Sequence, residues 1–97
     1  MNIKKEANGT TLSISLEGRL DTSTAPQLEA ELKHLEGVTE LNLDFAALEY
    51  ISSAGLRILL AAQKTMKKQG NMVIHHVNET IMDVFEVTGF IDILTVA

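Results

Sequence analysis

A mixed α/β fold, a β-sheet of four to five strands covered by helices, follows from the sequence on three grounds. Short runs with every second residue apolar take turns along the chain with segments whose apolar residues recur at helical spacing. From the second strand onward the connections are long enough for parallel crossovers, which pack helices onto the sheet. The chain has 97 residues, 45% of them hydrophobic, enough to bury roughly two-thirds of its unfolded surface around one core. No repeat, low-complexity tract or linker divides it, so residues 1–97 are read as one domain.

The elements follow in order. Asn8-Gly9 separates Ile3–Glu6 from Thr11–Glu17 and predicts a hairpin turn. In the second run Leu12, Ile14 and Leu16 share one face and Thr11, Ser13, Ser15 and Glu17 the other, which predicts a half-buried strand. Thr24 and Gln27 are spaced as a capping box with Pro26 in the first turn, and Ala25, Leu28, Leu32 and Leu35 continue the stripe to Gly37. Leu41–Phe45 alternates again, and Ala46–Ser52 reads as a loop. A long helix is expected from Ser53 to Lys68, with Lys64, Lys67 and Lys68 suited to its C-terminus and Gly70 closing it. Met72–Val77 is the next strand, and Asn78 caps a third helix striped by Ile81, Val84, Phe85 and Thr88. Phe90–Val96 reads as a last strand, giving the order β-β-α-β-α-β-α-β.

Composition excludes several functions. Eight Lys and Arg against thirteen Asp and Glu leave a net charge of −5, the wrong sign for a phosphate backbone. With three Phe, one Tyr and no Trp, little is left for base stacking. The absence of cysteine removes disulfides, thiolate metal sites and a thiol nucleophile. The longest apolar run, Ile58–Ala62, is far short of the roughly 20 residues that span a bilayer. No apolar stretch follows Lys4-Lys5, so no signal peptide is read and the cytoplasm is the expected location.

Candidate chemistry is sparse. His34 lies in a polar run, and His75 and His76, adjacent on a strand, should point to opposite faces, which disfavours a shared metal ion. No cofactor is implied, because the glycines never cluster as in a phosphate loop. Asp21 and Asp44 fall at strand ends, where partners dock on open α/β sheets, although Asp commonly serves turns. The remaining feature is Ile51-Ser52-Ser53-Ala54-Gly55-Leu56-Arg57. Ile51 stands where a nucleophile elbow needs its first glycine, which argues against a hydrolase. A serine at this helix start is either an N-cap or a phosphorylation site, since a helix N-terminus also favours phosphate. Spacing alone does not choose between them.

These residues carry a family resemblance over nearly the whole chain. Gly18-Arg19-Leu20-Asp21-Thr22 with Ala25-Pro26, Leu41-Asn42-Leu43-Asp44, Ile51-Ser52-Ser53-Ala54-Gly55-Leu56 and Val87-Thr88-Gly89-Phe90 together resemble the STAS domains of bacterial anti-sigma factor antagonists. Ser52 stands where that family usually has Asp, and Ala54 where it has Ser or Thr. The resemblance implies a regulator with no reaction of its own. Its partner would be an anti-sigma factor that is also a serine kinase, whose sequestered sigma factor is thereby released. Kinase modification, reversed by a phosphatase, would fall on Ser53, with Asp21 beside it.

The expected partner surface is Asp21, Thr22, Ser52, Ser53, Ala54, Gly55, Leu56, Arg57 and Leu60. Gly55, Ile58, Leu59, Ala62 and Met66 suffice for the core face of the long helix, which should leave Leu56 and Leu60 near the surface beside Ser53. Ile91, Ile93 and Leu94 would also offer apolar surface to a partner chain. A monomer or weak dimer is expected. The alternative is a STAS-like interaction subunit of a larger stress-signalling or lipid-transport assembly, never phosphorylated.

Overall fold

A computed structural model describes all of residues 1–97. Its sheet has the order β1-β2-β3-β4, built from β1 (Asn2–Asn8), β2 (Thr11–Leu20), β3 (Glu40–Ile51) and β4 (Asn71–His75). β1 pairs antiparallel with β2, while β2–β3 and β3–β4 are parallel, as the crossovers through α1 (Ala25–Glu31) and α2 (Ser53–Lys67) require. The helix α3 (Glu79–Thr88) and a 3₁₀ turn (Phe90–Asp92) complete the chain. The expected α/β sheet is present with four strands.

Alternation sets the core. Leu12, Ile14, Leu16, Leu41, Leu43, Phe45, Met72 and Ile74 are buried from one face of the sheet. Leu28 of α1, Leu59 and Met66 of α2, and Ile81 and Phe85 of α3 join them in a single apolar cluster of 21 residues. The opposite face carries Ser13, Ser15, Asn42, Asp44 and His75, which are only half-buried. One layer of helices on one side of the sheet therefore accounts for the whole core.

Several local expectations are corrected. The hairpin residues are Gly9 and Thr10, because Asn8 still pairs with Thr11. The capping box at Thr24 does not form: its hydroxyl donates to the Arg19 carbonyl (2.7 Å) and accepts the Asp21 amide (2.9 Å). α1 stops at Glu31, well before Gly37, and Leu35 reaches the core from the segment beyond it. That segment is held by Gln69, whose amide donates to the Leu35 and Val38 carbonyls. Gly70 closes the same corner, where a Cβ would collide with the Thr39 carbonyl.

Ala46–Ile51 is strand and not loop. β3 carries extra residues relative to β2 at Ser15/Glu17 and Gly18/Arg19, and such bulges break period-two alternation. Burial then recurs every third residue, at Phe45, Leu48 and Ile51, which hides the strand from pattern reading. β4 ends at His75, two residues short of expectation. The predicted last strand is mostly absent. Gly89 ends α3 in the left-handed region, Phe90–Asp92 coils into the 3₁₀ turn, and only Val96 bridges to Ile74.

Candidate functional site

The site begins where β2 and β3 end. Leu20 pairs with Ile51 in the parallel ladder, and the Ser52 amide extends it by donating to the Leu20 carbonyl at 2.9 Å. Asp21-Thr22 and Ser52-Ser53 therefore leave the sheet side by side at its carboxyl edge, where ligands bind on open α/β sheets.

Ser52 occupies the N-cap position of α2 in extended conformation, its carbonyl accepting the Leu56 amide at 3.0 Å. Its hydroxyl caps nothing and is buried without a partner. Ser53 is the first residue of the helix and is exposed. The N-cap alternative is thus not realised by the Ser53 side chain. Its hydroxyl stands at the positive end of a 15-residue helix, beside main-chain N–H groups that the helix itself leaves unpaired.

α2 approaches the sheet most closely at Gly55. A Cβ there would lie 2.7 Å from Leu20 Cγ and 2.9 Å from Ile51 Cγ1, so only glycine fits without displacement. This approach corrects the expected exposure of Leu56, which is buried together with Gly55, Leu59, Ala62 and Met66. Ile58, expected in the core, is half-buried and turned toward α1. Leu60 is also half-buried and lies about 10 Å along the helix from Ser53. The surface next to Ser53 is consequently less apolar than expected. An open furrow of about 410 Å³ lies between α1 and α2, lined at this end by Thr22, Ala25, Ala54, Arg57 and Ile58. Arg57 is exposed, and none of the three ion pairs of the molecule involves it.

Asp21 organises its own loop. Its Oδ1 accepts the Ser23 hydroxyl (2.7 Å), the Ser23 amide (3.0 Å) and the Thr24 amide (3.2 Å), while Oδ2 lies 3.7 Å from Arg19 Nε. The Ser23 hydroxyl first, and then these amides, hold its carboxyl below the usual value of 3.8 against a partial desolvation. Arg19 in turn stacks on Tyr50, 4.3 Å from the ring centre. Neither Arg19 nor Tyr50 is singled out by the sequence, because Tyr50 lies in the bulged segment where alternation fails.

The second acidic candidate, Asp44, lies on the uncovered sheet face. Its Oδ1 accepts the Ala46 amide (2.9 Å) and meets His76 Nδ1 (3.0 Å), and these two contacts, in that order, lower its pKa. His75 and His76 do not point to opposite faces. His76 lies just past β4 at φ 59°, which swings its ring onto Asp44, while His75 Nε2 contacts Asn42 Oδ1 at 3.0 Å. The three side chains do not converge on a common metal position. His34 is exposed beyond α1.

Of the expected partner residues, Asp21, Thr22, Ser52, Ser53, Ala54 and Arg57 are brought together, Gly55 and Leu56 support them from below, and Leu60 lies apart. Comparison with known proteins gives the family and the fold. The family described as Mlab, STAS domain, matches residues 3–95. BtrV of Bordetella bronchiseptica, provisionally named an anti-sigma factor antagonist, is 40% identical over 85 residues, covering 84% of this chain and 73% of that protein. An anti-sigma factor antagonist from Mycobacterium paratuberculosis superposes with a TM-score of 0.88 at 23% identity, over 98% of this chain and 83% of that one. The phosphorylated form of the Bacillus cell fate determinant SpoIIAA superposes with a TM-score of 0.77 at 22% identity, over 99% of this chain and 91% of that one.

Proposed function

The chain belongs to the STAS-domain family, and we propose that within it the protein is an anti-sigma factor antagonist switched at Ser53. One observation carries the reading: an exposed serine hydroxyl stands on the first turn of α2, beside the Asp21 loop, with unpaired main-chain N–H groups at hand. The partner is an anti-sigma factor with serine-kinase activity. Unmodified, the Ser53 surface docks on that partner and frees the sigma factor. The kinase then transfers the γ-phosphoryl group of ATP to Ser53 Oγ, the hydroxyl losing its proton and ADP leaving, and a phosphatase hydrolyses the ester to reset the switch. The chain itself turns over no substrate, and the cycle belongs in the cytoplasm. Support comes from the name of BtrV and from a structural relative that exists in a phosphorylated form.

Phosphate switches the interface by desolvation. A group carrying about −2 charge must lose water or meet a surface shaped for a hydroxyl, which costs several kcal/mol when it is left unpaired. The test is titration of a candidate anti-sigma factor kinase with unmodified, phosphorylated and Ser53→Ala protein. Phosphorylation should weaken binding on the order of a hundredfold, and Ser53→Ala should bind and never switch. Equal affinity of the modified and unmodified forms refutes the switch. A second reading has the family description in its favour, which names Mlab and not an antagonist: an interaction subunit that is never phosphorylated. Stable co-purification with an assembly, together with no phosphate on Ser53 in cells, would select it.

A further inference from the structure

β3 lacks a strand partner on its outer side just before the switch serine. β4 ends at His75, the register partner of Asp44, yet β3 continues to Ile51. The same stretch carries both irregularities of the β2–β3 ladder, so its hold on β2 is weakened too. The connector from β4 to α3 takes the place of the missing strand. His76, the one non-glycine residue with positive φ, turns its ring onto Asp44 at 3.0 Å. Asn78 Nδ2 donates to the Leu48 carbonyl at 2.9 Å, between the two bulges, while Asn78 Oδ1 accepts the Ile81 amide at 2.8 Å as the cap of α3. One side chain thus ties the start of α3 to the end of β3. Capping alone needs only an acceptor, which Ser or Asp supplies equally well. The second bond needs the amide N–H that Asn also carries.

We propose that Asn78 is a positioning residue for the Ser53 site, its amide pinning the bulged end of β3 so that Ser52 and Ser53 leave the sheet in one orientation. The consequence for phosphorylation rests on the function proposed above, whereas the positioning itself does not. Hydrogen–deuterium exchange of Asn78→Asp separates the two bonds, because the carboxylate keeps the cap and loses the donor. Residues 49–53 should exchange roughly fivefold to tenfold faster, the factor that one hydrogen bond is worth, with the Ile81 amide as protected as before. In Asn78→Ala both regions should loosen. Asn78→Ser, which also retains a capping oxygen, serves as the second arm if the carboxylate disturbs folding. Unchanged exchange over residues 49–53 in the capped variants overturns the proposal, whether or not Ser53 is ever phosphorylated. Faster exchange there in a chain that no kinase modifies leaves the positioning standing and removes the functional reading alone.

Discussion

The carboxylate of Asp21 is engaged by its own loop before any partner arrives, with Ser23 and Thr24 on one oxygen and Arg19 near the other. Its folded pKa is depressed, so the ionised carboxylate adds stability above 3.8, and that contribution is lost as pH falls through the lower folded value. Asp21→Ala should therefore melt below the unmodified chain at pH 7, with the gap closing as the pH is taken below 3.8; a gap independent of pH would show that the charge contributes nothing. Arg57 is the complementary case. It lies four residues after Ser53, on the same side of α2, with no ion-pair partner of its own, and (i, i+4) neighbours on a helix meet. A guanidinium there can clamp a phosphate on Ser53. Arg57→Ala should lower the melting temperature of the phosphorylated protein more than that of the unmodified one. Equal shifts would leave the helix N-terminus as the phosphate's only support.

At the scale of elements, α2 is seated by what Gly55 lacks. Adding a Cβ 2.7 Å from Leu20 Cγ forces the side chain or the first helical turn to move, and overpacking of this kind costs about 1–3 kcal/mol. Gly55→Ala should therefore lower the melting temperature by about 4–8 °C for each kcal/mol in a chain this size. It should also weaken partner binding, since the turn that moves carries Ser53; full affinity with lowered stability would separate the seat of the helix from the site. The elements that pattern reading recovers are those whose period survives folding. The alternation of β2 and the apolar stripes of α2 and α3 are plain in the sequence. What it misses has local causes. Two bulges convert the second half of β3 from period two to period three, so Tyr50 passes as loop. Leu35 continues the spacing of α1 but reaches the core from outside the helix. Of the candidate site, Asp21 at a strand end and Ser53 at a helix start are legible in the spacing, while their proximity comes only from the family resemblance. Leu56 was misplaced, because the close approach at Gly55 is tertiary and rotates one more leucine into the core than the stripe requires.

Across the whole molecule, Ser53 and the core are separate. The 21 core residues form one cluster on one face of the sheet, and Ser53 stands outside it, exposed on the first turn of α2. Phosphorylation takes the net charge from −5 to about −7, but added repulsion between surface charges is screened within about 8 Å at physiological salt. Against it stands the N-terminus of α2, where negative charge is favoured by about 0.3–1 kcal/mol. The local attraction acts at contact distance, and the carboxylate of the neighbouring Asp21 loop is already engaged by Ser23, Thr24 and Arg19. The phosphorylated domain should therefore keep its circular dichroism spectrum and melt about 1–8 °C higher than the unmodified one. Ser53→Asp, with half the charge and a shorter reach, should move the same way by less. A lower melting temperature or lost ellipticity on phosphorylation would mean that the modification acts by loosening the fold. A higher one, measured on the same sample that has lost affinity for its partner, leaves the interface as the place where the charge acts.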